Sequence, residues 1–472
     1  MKEGDGNGVL PEGWATRCIG QILDARYGKA LPQKARRGGG IAVYGSNGPV
    51  GAHDEAITAA PVIVIGRKGS VGAINYSEEP VWPIDTTYFI DKFSVFEPEF
   101  LRGLLLQLGL DQMDRSTAIP GLSREQLYER RARIPPLAEQ HRIAERLDEI
   151  DRRRASVGAR LQTVRTVLER LRSAVFAAAC SGRLTEDWRN VHPEVTADKL
   201  HAELIKRRND TSSRQDVPPS EHGLTSEVQL DLLPSSWSLV RLGDILDVST
   251  GATPLRKNRA FYDDGTIPWV TSGAVNARTI TSPTELITPL ALKETNVKLF
   301  PPGTLLVAMY GEGQTRGRVA ELAIEAGTNQ AVAAVLFTEA TAPIRPFIRL
   351  FFEDSYRRVR ALSVGGVQPN LNLGMIKDTL IPLPPHEEQD EIVRLATVAL
   401  ETVDRLTTQL AQSQETLDSV SRASLVKAFR GELVPTEVAL AAEERRDFES
   451  GEELLTRVMP DKGDRSDNGR HR

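Results

Sequence analysis

The chain is built from two related halves, and this internal repeat constrains its fold more than any other feature. The segment PEGWATRCIGQILDARYG, which begins at Pro11, matches PSSWSLVRLGDILDVSTG, which begins at Pro234, at a constant offset of 223 residues. Further along, the offset becomes 249 and holds without a gap from Pro120 to Leu184 of the first copy. The second copy therefore has 26 extra residues between its matched ends. Similar ends around a diverged middle indicate one scaffold that carries two different surfaces.

The diverged middles share a pattern of short apolar strand, glycine-containing loop and second strand. The first copy reads PVIVIGRKGSVGAINY and the second reads TLLVAMYGEGQTRGRVAEL. This alignment places Gly66 and Gly72 opposite Gly311 and Gly317.

Each copy continues into a long helix after a Pro-Pro-x-x-Glu-Gln motif, IPPLAEQ from Ile134 and LPPHEEQ from Leu383. Apolar residues then recur at steps of three and four, which is typical of a heptad seam. Gly182 and Gly431 suit the ends of these helices. About 40 residues at 1.5 Å per residue give a helix of roughly 60 Å. A stripe of this kind often packs on a neighbouring domain, but two of equal length favour antiparallel pairing with each other. The predicted seam positions are Leu147, Ile150, Val157, Leu161, Val164, Leu168, Leu171 and Val175 in the first helix, and Ile392, Ala396, Ala399, Val403, Leu406, Leu410, Leu417 and Val420 in the second.

The predicted fold class is α+β. Two globular domains of mixed α/β structure are joined by two long helices that form an antiparallel coiled coil, with pseudo-two-fold symmetry from the repeat. The predicted segments are a first globular domain at 1–133, a first long helix at 134–182, a linker with a short helix at 183–233, a second globular domain at 234–381, a second long helix at 382–431 and a tail with a short helix at 432–472.

Motifs for catalysis and metal binding are missing from the sequence. There is no G-x-x-x-x-G-K-[ST] phosphate loop, and no G-x-G-x-x-G opens a helix. Ser70 has no identifiable histidine partner for nucleophilic catalysis. The seven histidines and two cysteines show no spacing typical of a metal site. We therefore predict a binding protein without catalytic residues or a metal site.

The net charge of −5 argues against nucleic-acid binding by the chain as a whole, but the charges are unevenly distributed. Ala25–His53 contains five Lys or Arg and no acid, and Val248–Tyr262 contains three and no acid. One such run is usually a solvated loop. Basic loops at corresponding places of two repeats indicate DNA binding.

With these features, the chain resembles the specificity subunit of type I restriction-modification enzymes over essentially its full length. The resemblance rests on the paired P-x-x-W starts, GRKGSVG…WPIDTTYF, GQTRGRVA…TNQAVAA, VQPNLN, the two Pro-Pro helix starts, and the helix ends GRLTEDWR and GELVP. His386 and Glu387 depart from the Leu-Ala that is commoner at this helix start, and Arg154 interrupts the seam.

This resemblance implies two target recognition domains, each reading one half of a split, asymmetric double-stranded DNA site. The long helices would act as a spacer and as the docking surface for two modification (methyltransferase) subunits, and restriction/translocase subunits would join the complex. S-adenosylmethionine would bind the modification subunits, and ATP and Mg²⁺ the restriction subunits, so the resemblance implies no cofactor for this chain itself. Half-sites would lie roughly 10 bp apart, and binding by the isolated subunit would be weak because its charge is nearly balanced.

The candidate DNA-binding residues lie in the basic runs and the glycine-containing loops. In the first domain they are Arg26, Lys29, Lys34, Arg36, Arg37, Arg67, Lys68 and Ser70, with Tyr44 and Asn47 as lesser candidates. In the second domain they are Arg256, Lys257, Arg259, Gln314, Thr315, Arg316 and Arg318.

Other functions remain open from the residues alone. The chain could be a coiled-coil scaffold with two β-rich modules that bind proteins or glycans, or a specificity subunit of another phage-defence complex. An uncharacterised enzyme ranks lowest. No apolar run of about 18 residues and no secretory signal are found, which favours a cytoplasmic protein without membrane contact.

Overall fold

The computed structural model describes residues 10–112, 121–211, 233–310, 317–362 and 371–459, without the side chains of 208–211 and 357–362. The strands are β1 Ala15–Cys18, β2 Arg26–Tyr27, β3 Ile41–Gly45, β4 Gly48–His53, β5 Val62–Gly66, β6 Ile74–Ser77, β7 Trp82–Pro83, β8 Thr87–Ile90, β9 Arg131–Ile134, β10 Ser238–Arg241, β11 Asp247–Thr250, β12 Ile267–Val270, β13 Thr279–Ile280, β14 Glu285–Ile287, β15 Leu299–Phe300, β16 Leu305–Ala308, β17 Val319–Leu322, β18 Ala326–Thr328, β19 Val332–Leu336 and β20 Leu380–Leu383.

The α-helices range from four to 44 residues. They are α1 Ile19–Ile22, α2 Pro98–Gln107, α3 Arg124–Tyr128, α4 Leu137–Cys180, α5 Glu186–Val191, α6 Asp198–Thr211, α7 Leu242–Ile245, α8 Pro289–Glu294, α9 Arg345–Leu362, α10 Leu373–Lys377, α11 His386–Ala428, α12 Glu437–Glu444 and α13 Gly451–Val458. Together with the strands they make an α+β fold, as predicted.

The chain divides into two compact units, Met1–Gln162 with Ala411–Arg472, and Thr163–Leu410. Each unit therefore takes part of both long helices. The first unit is completed by α12 and α13 from the end of the chain, and the second by α5 and α6, which follow α4.

In the first unit, a four-stranded sheet of order β2-β8-β5-β6 lies between two hydrophobic layers. All five residues of β5 are buried, and its side chains alternate in direction as strand geometry requires. Ile63 and Ile65 belong to the core that contains Phe100 of α2, whereas Val62 and Val64 belong to a smaller core that includes Ala42 and Tyr44 of β3. The second layer is the three-stranded sheet β4-β3-β7, in which β3 and β7 run parallel.

The second unit repeats this plan with additions. Its five-stranded sheet has the order β11-β19-β16-β17-β13, and its four-stranded sheet has the order β14-β12-β18-β15. Leu305 and Val307 of β16 face the core with α9, and Leu306 and Ala308 face the core between the sheets. The edge strands β13 and β15 have no counterpart among the described residues of the first unit, and they lie within the longer middle of the second repeat.

A two-stranded ribbon precedes each long helix. Its first strand lies in the part of the repeat with an offset of 223 residues, and its second strand in the part with an offset of 249. Ala15 of β1 pairs with Ile134 of β9, and Ser238 of β10 pairs with Leu383 of β20. Both ribbons are antiparallel.

The long helices run antiparallel within each unit, as predicted. In the first unit, Leu147 of α4 shares a core with Ala428 of α11, and Arg154, later in α4, pairs with Asp418, which is earlier in α11. In the second unit, Arg172 of α4 pairs with Asp404 of α11, and Ala179, later in α4, shares a core with Ile392, which is earlier in α11.

The predicted seam is only partly correct. Seven of the predicted seam positions are buried: Leu147, Leu168, Val175, Ile392, Ala396, Val403 and Leu410. Five other predicted seam positions are between 40% and 53% exposed: Val157, Val164, Leu171, Leu406 and Val420.

Candidate nucleic-acid interface

Three loops of the first unit meet at the turn between β7 and β8. Lys29 donates its backbone N–H to Pro83 at 2.9 Å, and the N–H of Ile84 donates to Tyr44 at 2.9 Å. The backbone N–H groups of Arg67 and Lys68 both donate to the carbonyl of Thr86, at 2.9 and 3.1 Å. We call this assembly, residues 27–29, 44–47, 67–70 and 83–87, the first loop cluster.

Ser46 ties two of these loops together, because its hydroxyl donates to the carbonyls of Lys68 and Thr86 at 2.5 and 2.9 Å. Gly28 brings in the third loop through close backbone contact. A Cβ at Gly28 would lie 2.0 Å from the carbonyl oxygen of Ile84, so no other residue fits there without displacing the turn. At Gly251, the equivalent position of the second repeat, a Cβ would lie 1.8 Å from the carbonyl oxygen of Thr328, so the same restriction applies.

The second unit uses the same backbone scaffold at the turn between β18 and β19. The N–H groups of Met309 and Tyr310 both donate to Ala331, at 2.8 and 3.4 Å, as those of Arg67 and Lys68 do to Thr86. Gly317 donates to Ala308 at 2.7 Å as Gly72 donates to Gly66 at 2.8 Å.

The predicted pairing of Gly66 with Gly311 is therefore wrong. The hydrogen bonds place Ala308 at the position equivalent to Gly66, while Gly72 and Gly317 do correspond. The second loop is longer between these points, which is why matching glycines by spacing failed.

Three of the predicted DNA-binding arginines of the first unit are engaged by the protein itself. Arg26 pairs with the nearly buried carboxylate of Asp91 and lies 4.6 Å over the ring of Phe89. Arg36 donates to the carbonyl of Val50 at 2.6 Å. Arg37 forms ion pairs with two acids that follow the acid-free run, Asp54 at 2.9 Å and Glu55 at 3.0 Å. The hydrogen bond with Asp54 raises the pKa of Arg37.

The remaining predicted residues of the first unit have side chains that are exposed or only partly buried. Lys29, Lys34, Asn47, Lys68 and Ser70 are exposed, and Tyr44 and Arg67 are partly buried. The Nζ of Lys29 lies 5.8 Å from the ring centre of Trp82. The structure thus brings Lys29, Tyr44, Asn47, Arg67, Lys68 and Ser70 into the first loop cluster and leaves Lys34 on a separate segment.

In the second unit, Arg256 is held in place by the protein. It makes two hydrogen bonds to Glu285, at 2.5 and 3.0 Å, and lies 5.0 Å from the ring centre of Tyr262. The hydrogen bonding to Glu285 raises its pKa. Arg318 donates to the hydroxyl of Tyr356 at 3.3 Å. Lys257 and Arg259 are exposed, and Gln314, Thr315 and Arg316 lie outside the described residues.

Sequence reasoning missed two positively charged residues near these surfaces. Arg124 lies 5.2 Å from the ring centre of Tyr27, which places it beside the first loop cluster. Lys298 is exposed and donates to the hydroxyl of Ser249 at 3.0 Å. Arg124 follows the matched Pro120 and Leu122, so the repeat itself could have drawn attention to it.

Within the described ranges, no group of three or more His, Cys, Asp or Glu side chains could hold a metal ion. No helix in this part of the chain is both long and apolar enough to cross a membrane.

A family model described as the type I restriction modification DNA specificity domain matches residues 11–165 and 234–417. The chain belongs to this family. The two matched ranges agree with the two repeats, and the resemblance drawn from the sequence is confirmed.

Individual relatives are distant in sequence. The specificity subunit of the type I restriction enzyme EcoBI of Escherichia coli is 27% identical over 323 residues, which cover 67% of this chain and 61% of the relative. The chain thus spans less than two thirds of that relative. The EcoDI specificity subunit of Escherichia coli is 22% identical over 432 residues, which cover 90% of each chain.

A solved structure shares the fold. It comes from work on complex assembly and conformational transition of a type I restriction-modification system, and its chain is 18% identical with a TM-score of 0.58. The match covers 90% of this chain and all of the other.

Proposed function

We propose that the chain is the DNA sequence-recognition subunit of a type I restriction-modification complex, in which each unit reads one half of a bipartite, asymmetric site. The observation that carries this proposal is the pair formed by the first loop cluster and its counterpart in the second unit, the loops that meet at the turn between β18 and β19. The two clusters share their backbone hydrogen bonds and their close glycine contact, yet present different side chains. Equal scaffolds with unequal surfaces suit a protein that reads two different half-sites.

The chain would act without catalysis and without a cofactor of its own. Two modification subunits would supply S-adenosylmethionine and transfer the methyl group, and restriction subunits would supply ATP-dependent translocation and cleavage. The exposed apolar residues of the long helices support partner docking, since such residues on a helix surface mark interaction sites when they cluster. They are Val157, Val420 and Val426 in the first unit, and Val164, Val167, Leu171, Val398 and Leu406 in the second.

Co-expression with a type I modification subunit tests this function. Genomic DNA of the host is sequenced for methylated adenines, and we expect a split, asymmetric motif. Exchanging residues 25–125 for the matching segment of a relative with a different target should change one half of the motif and leave the other unchanged. An exchange within 241–374 is the matched control and should change only the second half.

Two results would contradict the proposal. Methylation that ignores both exchanges would show that the loop clusters do not read DNA. A complex that forms with the modification subunit but neither binds nor methylates DNA would favour the scaffold function instead.

A further inference from the structure

Two arginines of the first unit share one aromatic ring. The guanidinium carbons of Arg67 and Arg124 lie 5.1 and 5.2 Å from the ring centre of Tyr27, so they are at most about 10 Å apart. Tyr27 is 48% exposed, although its ring centre lies 5.0 Å from that of Tyr88. Two positive charges thus flank a surface that solvent can reach.

Arg67 and Arg124 differ from several other arginines of the first unit in having no carboxylate ion-pair partner within the part of the chain that the structure describes. Among the described residues, neither forms an ion pair, whereas Arg26 pairs with Asp91 and Arg37 with Asp54. Arg67 donates at 3.3 Å to Asp85, but to its backbone carbonyl. The carboxylate of Asp24 accepts a hydrogen bond from Tyr128 at 3.2 Å. Positive charges that line one surface attract anionic ligands to it.

The protein fixes both arginines against the same backbone. The N–H of Leu122 donates to the carbonyl of Arg67 at 3.0 Å, and Lys68 forms a β-bridge with Gly121. The hydroxyl of Tyr88 donates to the carbonyl of Leu122 at 3.0 Å. Arg124 begins α3 directly after this segment, so it is held beside the first loop cluster.

The second unit shows that the fold does not need these three side chains. By the sequence offsets and the shared hydrogen bonds, the positions of Tyr27, Arg67 and Arg124 correspond to Thr250, Met309 and Leu373. The same ribbon, sheet and short helix form around Thr250, Met309 and Leu373. In the described ranges of the chain, a ring flanked by two arginines without ion pairs therefore occurs at this place in the first unit and not at the equivalent place in the second.

We propose that Arg124 and Arg67 together bind a backbone phosphate of the DNA, with Tyr27 holding the two guanidinium groups in position. This inference rests on the proposed function and adds a contact to it. A guanidinium offers several N–H donors in a planar fork that matches phosphate oxygens, and it stacks well on an aromatic face. A phosphate contact fixes the register of the domain on the duplex but carries no sequence information.

The test uses the full chain assembled with its modification subunits and a duplex that contains the methylated motif. The dissociation constant is measured over a range of salt concentrations for the wild type, Arg67→Ala and Arg124→Ala. Arg130→Ala is the matched control, because Arg130 is an exposed arginine of the same unit and its loss changes the net charge equally. We expect Arg67→Ala and Arg124→Ala to weaken binding severalfold, and each to lower the slope of log K against log salt by about 1.

A triple variant separates binding from folding. Tyr27→Thr, Arg67→Met and Arg124→Leu together introduce the residues that the second unit carries at these positions. We expect this variant to fold and to assemble, to lose affinity for motif and non-motif DNA alike, and to leave the methylated motif unchanged.

The outcomes are distinct. If Arg124→Ala binds DNA as Arg130→Ala does, the phosphate site is overturned while the proposed function stands. If either substitution changes the methylated motif at one base position, the side chain reads a base and the phosphate assignment is wrong. If the wild-type assembly binds no DNA, the proposed function itself fails and this inference fails with it.

Discussion

Replacing Glu388 should destabilise the second unit, because this carboxylate joins three separate chain segments. Its side chain is fully buried. One oxygen accepts from the indole N–H of Trp237 at 2.8 Å, and the other accepts from the hydroxyl of Thr185 at 2.7 Å and the guanidinium of Arg189 at 2.5 Å. These partners come from the start of the second repeat and from the segment that follows α4. Glu388→Ala removes all three hydrogen bonds in one step.

The structure sets the size of the effect. Removing one partner of a buried ion pair costs about 3–5 kcal/mol, since the other charge stays behind uncompensated. The side chain of Arg189 is 18% exposed, so water recovers part of that cost. The stranded indole N–H of Trp237 adds about 1–3 kcal/mol. Because such contributions do not add fully, we expect a loss of about 3–5 kcal/mol in the free energy of unfolding of this unit.

Glu387→Ala is the matched control. Glu387 is the preceding residue of the same helix and is exposed, so its loss should stay within about 0.5 kcal/mol. Hydrogen exchange of peptides from 183–205 and 234–241 reports the second unit directly, which matters because a chain of two units need not unfold in one step. A difference between Glu388→Ala and Glu387→Ala below about 1 kcal/mol would refute this role of the buried carboxylate.

Three further predictions address other features. Burial alone would raise the pKa of Glu437, but hydrogen bonds from Arg446 and Arg142 hold this pKa below the ordinary 4.5. The contribution of Glu437 to stability is therefore complete above pH 4.5 and is lost as the pH falls through the lowered pKa. The protection factors of the amides in 437–444, which correct for the pH dependence of intrinsic exchange, should fall below pH 4.5, and Glu437→Gln should remove this loss. The contribution of Glu139, whose pKa burial raises, has the opposite sign. Gly28→Ala and Gly251→Ala should each destabilise their unit by about 1–3 kcal/mol through overpacking, as measured by thermal unfolding. Gly40→Ala should leave stability unchanged, because no heavy atom lies within 4 Å of a Cβ placed at Gly40. Arg256→Ala should lower the free energy of unfolding by about 1 kcal/mol through loss of the Glu285 ion pair and the aromatic contacts. Lys257→Ala is the control and should leave thermal stability unchanged. Equal stability of the two variants would contradict the structural role of Arg256.

The repeat allowed much of the fold to be predicted, because matched positions carry matched backbone geometry. The two long helices and their antiparallel sense within each unit followed from it, whereas the ribbons that precede these helices were not predicted. The motif P-P-x-x-E-Q was recognised as a helix start, but its physical role was not. Glu139 and Glu388 each accept the indole N–H of a repeat tryptophan that lies more than a hundred residues earlier, and spacing along the chain does not reveal such a pair.

The candidate site was harder to predict than the fold, because composition does not identify the partners of a charge. Ala25–His53 contains no acid, yet Arg26 finds Asp91 and Arg37 finds Asp54 just beyond its end. Arg256 likewise finds Glu285. A basic run thus contains both arginines that stabilise the fold and cations that are free to bind, and only the tertiary structure separates them.

The two units act as internal controls for each other, and this bears on how they would share the work on DNA. Where the backbones agree, a residue kept in both units, such as Gly28 and Gly251, serves the scaffold. Where the backbones agree and the side chains differ, the difference reports on the ligand. In the second unit, Thr250, Met309 and Leu373 supply no cation at the positions of the arginine pair, and the exposed cations Lys257, Arg259 and Lys298 lie on other segments. On the proposed function, the two units would therefore hold the DNA backbone at different points relative to the same scaffold. An asymmetric set of phosphate contacts would then accompany an asymmetric target sequence, so exchanging the first loop cluster should alter the salt dependence of binding as well as one half of the motif.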